Sequence, residues 1–183
     1  YGDTAETMVE EYGPYDGASI FLALTDETGQ VVAETRLITP SGVGLKTLND
    51  VGRAPWHMDG PRAARAAGLD LDRTWDVATI GIRPDFRSGA LQAAVAMYHG
   101  IYRAMRANGI RWIVMLTDER ARRLLESALC ATHALPGAGP GEYLGTPGCT
   151  PIWADAHTGV DLQRARNPEA YRLIVQGAGL DHI

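Results

Sequence analysis

Trp75-Asp76-Val77-Ala78-Thr79-Ile80-Gly81-Ile82-Arg83-Pro84-Asp85-Phe86-Arg87-Ser88-Gly89-Ala90-Leu91 is the stretch that decides the fold. Its first nine residues alternate and are β-branched enough for a strand, and Pro84, with no N–H to offer a ladder, stops it. Over residues 91–108, Leu91, Ala94, Val95, Tyr98, Ile101, Tyr102 and Met105 recur at helical spacing until Asn108-Gly109 closes the helix. Residues 110–116 read as a second apolar strand and 118–129 as a second helix, with Thr117 or Asp118 able to cap it. The order strand, helix, strand, helix makes the two strands parallel neighbours joined by a crossover, with helix 91–108 packed on the sheet.

Upstream, the apolar run 18–24, the turn Asp26-Glu27-Thr28-Gly29 and the β-branched run 30–39 predict a hairpin. Residues 41–74 form a long, loop-rich connection with a helix over 61–67, the kind of insertion that usually carries function. Residues 1–16 read as a short helix remnant running into a turn, and the start at Tyr1 predicts an incomplete N-terminal element. Downstream come a Pro/Gly-rich loop at 136–141, short strands near Tyr143 and over 150–153, and a terminal helix that Asn167-Pro168-Glu169 opens. No internal repeat appears.

The 183 residues suit one domain spanning 1–183. A 45% hydrophobic, 21% charged composition excludes long-range disorder and collagen-like repeats. The net charge of −5 argues against a nucleic-acid binder that works by neutralising phosphates. No apolar run approaches the roughly 18–20 residues that span a bilayer, and no signal segment opens the chain, so a cytoplasmic protein with no membrane partner is expected. Cys130 and Cys149 lack C-x-x-C spacing and a His cluster, so two semi-buried thiols are expected rather than a disulfide or a metal site. Lys46 is the single lysine against sixteen arginines, which we read as genome composition.

The chemistry is expected at the loop through Ile82, Arg83, Arg87, Ser88, Gly89, Ala90 and Leu91. A helix N-terminus preceded by small residues presents unpaired N–H groups and a positive dipole end that suit a phosphate, and Arg83 and Arg87 add charge. The alternative is an ordinary strand-to-helix turn.

At this point the chain resembles the GCN5-related N-acetyltransferase superfamily, in which V-x-P-x-x-R-G-x-G-x-G/A joins a central strand to a helix. Ile82, Pro84, Arg87, Ser88, Ala90 and Gln92 occupy that pattern, keeping its register and its arginine while most glycines are replaced. The element order agrees over roughly residues 17–155. Within the superfamily the chain is most similar to acyl-homoserine-lactone synthases and N-acyl amino acid synthases. Their W-E-x-S-R-F-x-V strand aligns with Trp75-Asp76-Val77-Ala78-Thr79-Ile80-Gly81-Ile82, and their R-L-L-P-T segment with Arg36-Leu37-Ile38-Thr39-Pro40. Ala78-Thr79 replaces the Ser-Arg pair, and Leu125 stands where many acetyltransferases place a thiolate-protonating tyrosine.

The resemblance implies an α/β (α+β) fold: a mixed, mostly antiparallel sheet whose central strands, 75–83 and 110–116, splay apart and are flanked by helices. It implies a phosphopantetheine thioester as co-substrate, carried by acyl carrier protein or coenzyme A, with no metal, and a small-molecule primary amine as acceptor. Oxyanion stabilisation would come from backbone N–H groups near Ile80, Gly81 and Ile82. Because Ser88, Ala90 and Gln92 stand where glycines let backbone amides approach a pyrophosphate, a carrier-protein donor with its single phosphodiester is preferred, docking on a basic patch of Arg103, Arg106, Arg120, Arg122 and Arg123. A coenzyme A-dependent acetyltransferase and a non-catalytic ligand-sensing domain of the same fold remain open, as do monomer and homodimer.

For the general base, Asp76 takes the position of the branch's glutamate and His57 lies in the variable insert; each has a bland alternative, a salt-bridged edge carboxylate and a surface histidine. Glu34 and Arg36, two apart on one strand, would share a face and hold the acceptor or pair with each other or across strands. Trp56, Trp75 and Trp153, with Thr117 at the end of the second strand, are the remaining substrate-binding candidates, whereas Trp112 reads as core. No Ser-His or Cys-His spacing announces a covalent intermediate, so direct attack by the amine is expected.

Overall fold

A computed structural model describes residues 5–86, 89–127 and 130–180. The predicted hairpin forms as β1 (Ser19–Thr25) and β2 (Val31–Ile38), paired antiparallel. Its turn is local chemistry: Asp26 Oδ1 accepts from the N–H groups of Thr28 and Gln30, and Gly29 takes φ 81°. The decisive stretch becomes β3 (Thr74–Ile82) and α4 (Ala90–Ala107), followed by β4 (Trp112–Thr117) and α5 (Glu119–Ser127). Ala93, Met97, Ile101 and Met105, four apart along α4, are buried, so the helix lays one stripe on the sheet.

Among the described residues the sheet has seven strands in the order β1-β2-β3-β4-β7-β5, with β6 (Gly141–Tyr143) on β7 (Thr146–Asp155) and β5 (Thr132–Ala134) beyond it. β3 with β4 is the parallel pair, and every other pairing is antiparallel. The mixed, mostly antiparallel fold class is therefore as the sequence predicts. Neighbouring residues face opposite layers: Ile38, Trp112 and Val114 join one core cluster, while Leu37, Trp75, Met115 and Ile101 join the other.

The sequence reading misses two helices. α2 (Lys46–Asp50) lies in the insert ahead of α3 (Gly60–Ala66), and α6 (Ala156–Arg166) follows β7. α2 is five residues long, too short for a period to show. α6 buries only Gly159 and Gln163, so no apolar stripe marks it; Asp155 nevertheless caps it by accepting from the N–H groups of His157 and Thr158. Asn167 caps the expected terminal helix by accepting from Ala170 N–H, but α7 (Pro168–Ala170) passes at once into a π-helical turn, Tyr171–Val175. Trp112 is buried core and both cysteines are free.

Candidate functional site

β3 and β4 pair only through Thr74, Trp75 and Asp76, opposite Trp112, Ile113 and Val114. Beyond Asp76 each strand stays with its outer neighbour, β3 with β2 as far as Ile82 and β4 with β7 as far as Thr117. The separation has a local cause. Leu37 opposes Val77 and Arg36 opposes Thr79, so Ala78 is an extra residue in the ladder, a β-bulge at the point of divergence. A bulge bends its strand and sharpens the twist, which turns the far half of β3 away from β4.

The strands leave a cleft of about 740 Å3 between them. Val77, Thr79, Ile80 and Ile82 line one side, Met115 and Thr117 the other, and Ala94 and Tyr98 of α4 and Arg120 and Leu124 of α5 the flanks. Met8 and Tyr12 of α1 (Ala5–Tyr12), with Tyr143 and Leu144, close the opposite wall. A second, apolar cavity of about 80 Å3 shares Val77, Ile80, Tyr98, Met115 and Leu125 with the cleft and reaches Met105, Val160 and Ile174. Cys130 lines it, and burial pushes its thiol up to about 11, so it stays protonated.

The sequence-predicted residues scatter around this opening. Ile80, Ile82 and Thr117 line it. Gly81 sits on the same strand opposite Glu34, which is exposed. Asp76 is fully buried: Oδ2 accepts from Thr47 N–H and Oδ1 from Thr47 Oγ1 at 3.0 Å, so it anchors α2 instead of lining the cleft. Burial raises its carboxyl to about 7, against the opposing pull of the Thr47 hydrogen bonds. His57 is exposed at φ 49° in the loop that follows the cis Ala54–Pro55 bond and is not part of the cleft wall.

Arg36 does not pair with Glu34. It is buried against Asp16 and Ser19, its guanidinium over the rings of Tyr12 and Phe21. Arg83 is tied back to the hairpin turn and its own loop, with Nε 2.6 Å from Asp85 Oδ1 and Nη1 donating to Gln30 Oε1 at 3.2 Å. Arg87 and Ser88 lie outside the described residues. Gly89 caps α4, and a Cβ there would come within 2.5 Å of the Phe86 ring, so its glycine has a packing reason of its own. Ala90 opens α4 and Leu91 is exposed. Trp75 is core, correcting its expected place in a substrate pocket, because its side chain faces the layer that holds Leu37 and Met105. Trp153 packs on His133 with ring centroids 4.5 Å apart, away from the cleft wall. Trp56 reaches the site indirectly: Nε1 donates to Gly139 O at 2.7 Å and the ring leans on Tyr143.

Residues the sequence reading passed over stand behind Tyr143. Lys46 and Asp50, both buried, form an ionic cluster with the partly exposed Glu11, with Lys46 Nζ 2.6 Å from Asp50 Oδ2 and 2.8 Å from Glu11 Oε2. The signal was present in the lone lysine of an arginine-rich chain. Lys46 and Asp50 are also four apart, one helical turn. Among the described residues no group of His, Cys, Asp and Glu could hold a metal ion.

No family sequence model matches the chain, and no curated protein matches it. Solved structures do. A CoA-dependent acyl-homoserine lactone synthase, MesI, superposes with a TM-score of 0.58 at 16% identity, over 90% of this chain and 71% of its own. Another, BjaI, solved with SAM and isopentyl-CoA, gives 0.57 at 17% identity over 82% of this chain, which spans 66% of that protein's length. A spermidine N-acetyltransferase chimera from Vibrio cholerae SpeG and hSSAT gives 0.51 at 10% identity over 86% of this chain. The splayed parallel pair, the bulge beside it and these superpositions together show that the chain has the GCN5-related N-acetyltransferase fold, which it shares with these structures.

Proposed function

We propose that this chain is an N-acyltransferase that moves an acyl group from a phosphopantetheine thioester to the primary amine of a small molecule. The observation that carries the reading is the opening between β3 and β4, because an apolar cavity adjoins it across five shared lining residues. A pantetheine arm is a narrow chain of amides that can complete the unpaired strand edges, much as a peptide adds to a sheet. The acyl tail would continue into the apolar cavity, where each buried methylene stabilises the complex by about 0.8 kcal/mol. The bent edge of β3 past Asp76 has no strand partner on its β4 side, so backbone N–H groups near Ile80 remain for a thioester oxyanion. The amine would enter from the opposite wall, past Tyr12 and Tyr143, and attack the carbonyl directly.

For the donor we propose an acyl carrier protein. The support is the loop, where Ser88, Ala90 and Gln92 replace glycines and Arg83 is occupied by Asp85 and Gln30. A site with fewer free N–H groups and one fewer free cation suits a single phosphodiester better than a pyrophosphate. Of the basic patch, Arg122 and Arg123 are paired with Glu126 and Glu119, and Arg120 faces the cleft mouth. The names of two neighbours, both CoA-dependent synthases, favour coenzyme A as the second reading. The test is thiol release with one acyl group offered on a carrier protein and on coenzyme A against a panel of primary amines. Faster turnover from the carrier supports the first reading and faster turnover from coenzyme A the second. Silence throughout would favour a ligand-sensing domain.

A further inference from the structure

Lys46 is nine-tenths buried and more, and its ammonium spends all three of its donors: on Glu11 Oε2, on Asp50 Oδ2, and on the Tyr143 hydroxyl oxygen at 3.0 Å. The Tyr143 hydroxyl in turn donates to Asp50 Oδ2. Asp50 is 1% exposed, and its second oxygen, Oδ1, has no hydrogen-bond partner among the described residues; Arg53 Nη2 lies 3.9 Å from it. A buried carboxylate oxygen left unpaired costs free energy, so it marks a group kept for something other than packing. Tyr143 is both part of this cluster and part of the cleft wall, beside Tyr12 and Ala78.

We propose that Tyr143 is the catalytic proton relay for the acceptor amine and that Asp50 receives the proton, with Lys46 and Glu11 as positioning residues. The inference rests on the acyltransferase reading. The ammonium of the acceptor gives a proton to the Tyr143 oxygen while Tyr143 gives its own to Asp50. The freed lone pair attacks the thioester carbonyl, the C–S bond breaks as the tetrahedral adduct collapses, and the nitrogen's second proton goes to the departing thiolate. Asp50 then returns its proton to water through Tyr143. The other candidates for the task are spent or misplaced, since both Asp76 oxygens hold Thr47 and His57 is outside the cleft. Burial raises the Tyr143 phenol, so it stays neutral and can accept a proton only while passing one on. The charged groups around the relay are Glu11 on α1, Lys46 and Asp50 on α2, Arg53 beyond it, and Asp76 behind Thr47.

The test follows thiol release from hexanoyl-carrier and hexanoyl-CoA with a primary-amine panel between pH 6 and 10. In Tyr143→Phe, kcat should fall about a hundredfold at pH 7, with the donor KM held, and recover as the pH rises and more amine is already neutral. Asp50→Asn should show the same pH-dependent recovery. Site-specific fluorotyrosine at 143 acidifies the phenol with little change of shape and should move the profile to lower pH, which keeps the inference testable if Tyr143→Phe folds poorly. An active wild type whose pH profile survives Tyr143→Phe or fluorotyrosine unchanged would overturn the relay and leave the acyltransferase reading intact. A wild type silent with every pair would overturn that reading and the relay with it.

Discussion

Residues 74–77 and 78–82 belong to one strand, yet all of the first four are buried, while the last five are half-buried or exposed. The near half pairs with β4 through Thr74, Trp75 and Asp76 and meets β2 at Asp76 and Val77, and the far half keeps only β2. Composition does not separate them, since Thr79, Ile80 and Ile82 suit a strand as well as Thr74 and Val77 do. What separates them is one unopposed residue, Ala78, and beside it the Thr79 carbonyl accepts from Thr35 Oγ1 at 2.7 Å. The near half is framework, and the far half is an edge left without a partner on its β4 side. A sheet can make a site by withholding pairing, provided that the withheld edge is bent rather than left flat.

The largest expected effect tests the framework half. Asp76→Ala removes both acceptors of Thr47 and should cost about 3 kcal/mol of unfolding free energy, read by denaturant titration. Because the folded pKa of Asp76 is raised from 3.8 to about 7, the folded state holds its proton more tightly than the unfolded chain. Its contribution is therefore full below about pH 4 and is lost as the pH rises through 7, with a slope of up to about 1.4 kcal/mol per pH unit. Asp76→Asn should flatten that slope, and an Asn variant that keeps it would give the slope to another group.

The open half is tested next by filling it. Ala94→Trp puts an indole into the cleft from α4 and should reduce acyl transfer about a hundredfold, with a thermal midpoint within a few degrees of wild type. Unchanged turnover would move the donor elsewhere. A smaller effect belongs to the apolar cavity. Val160→Phe should shift preference toward shorter acyl chains by about tenfold in relative kcat/KM, following roughly 0.8 kcal/mol for each methylene denied burial. The smallest is Arg83→Gln: an exposed ion pair contributes under about 1 kcal/mol, so stability should barely move, and a donor KM raised more than a few-fold would show that Arg83 leaves Asp85 to hold phosphate.

Much of this was legible in the chain. The hairpin, the β3-α4-β4-α5 order and the divergence of the two central strands follow from periodicity, turn residues and the family likeness. The site was legible only in part. Ile80, Ile82 and Thr117 line the cleft where the reading expected a site, because position along a strand fixes which face or end a residue occupies. Trp75 and Trp153 were misplaced because the same aromatic serves a core or a pocket. Glu34 and Arg36, spaced for one face, were separated by Asp16 and Ser19, partners that come from the preceding segment. α6 escaped because a helix that covers a core edge with Gly159 and Gln163 shows no apolar stripe.

Sequence by itself determined the hairpin, the β3-α4-β4-α5 order and the parallel crossover, because propensity, capping and hydrophobic period act within a few residues of one another. Tertiary structure alone decided where ladder pairing stops, since a bulge is defined by the partner strand and not by Ala78. It also decided that Glu11, Lys46, Asp50 and Tyr143, spread over 133 residues of chain from first to last, share one hydrogen-bonded cluster at the cleft. Coulomb attraction and desolvation depend on distance in space, and the chain reports only distance along itself.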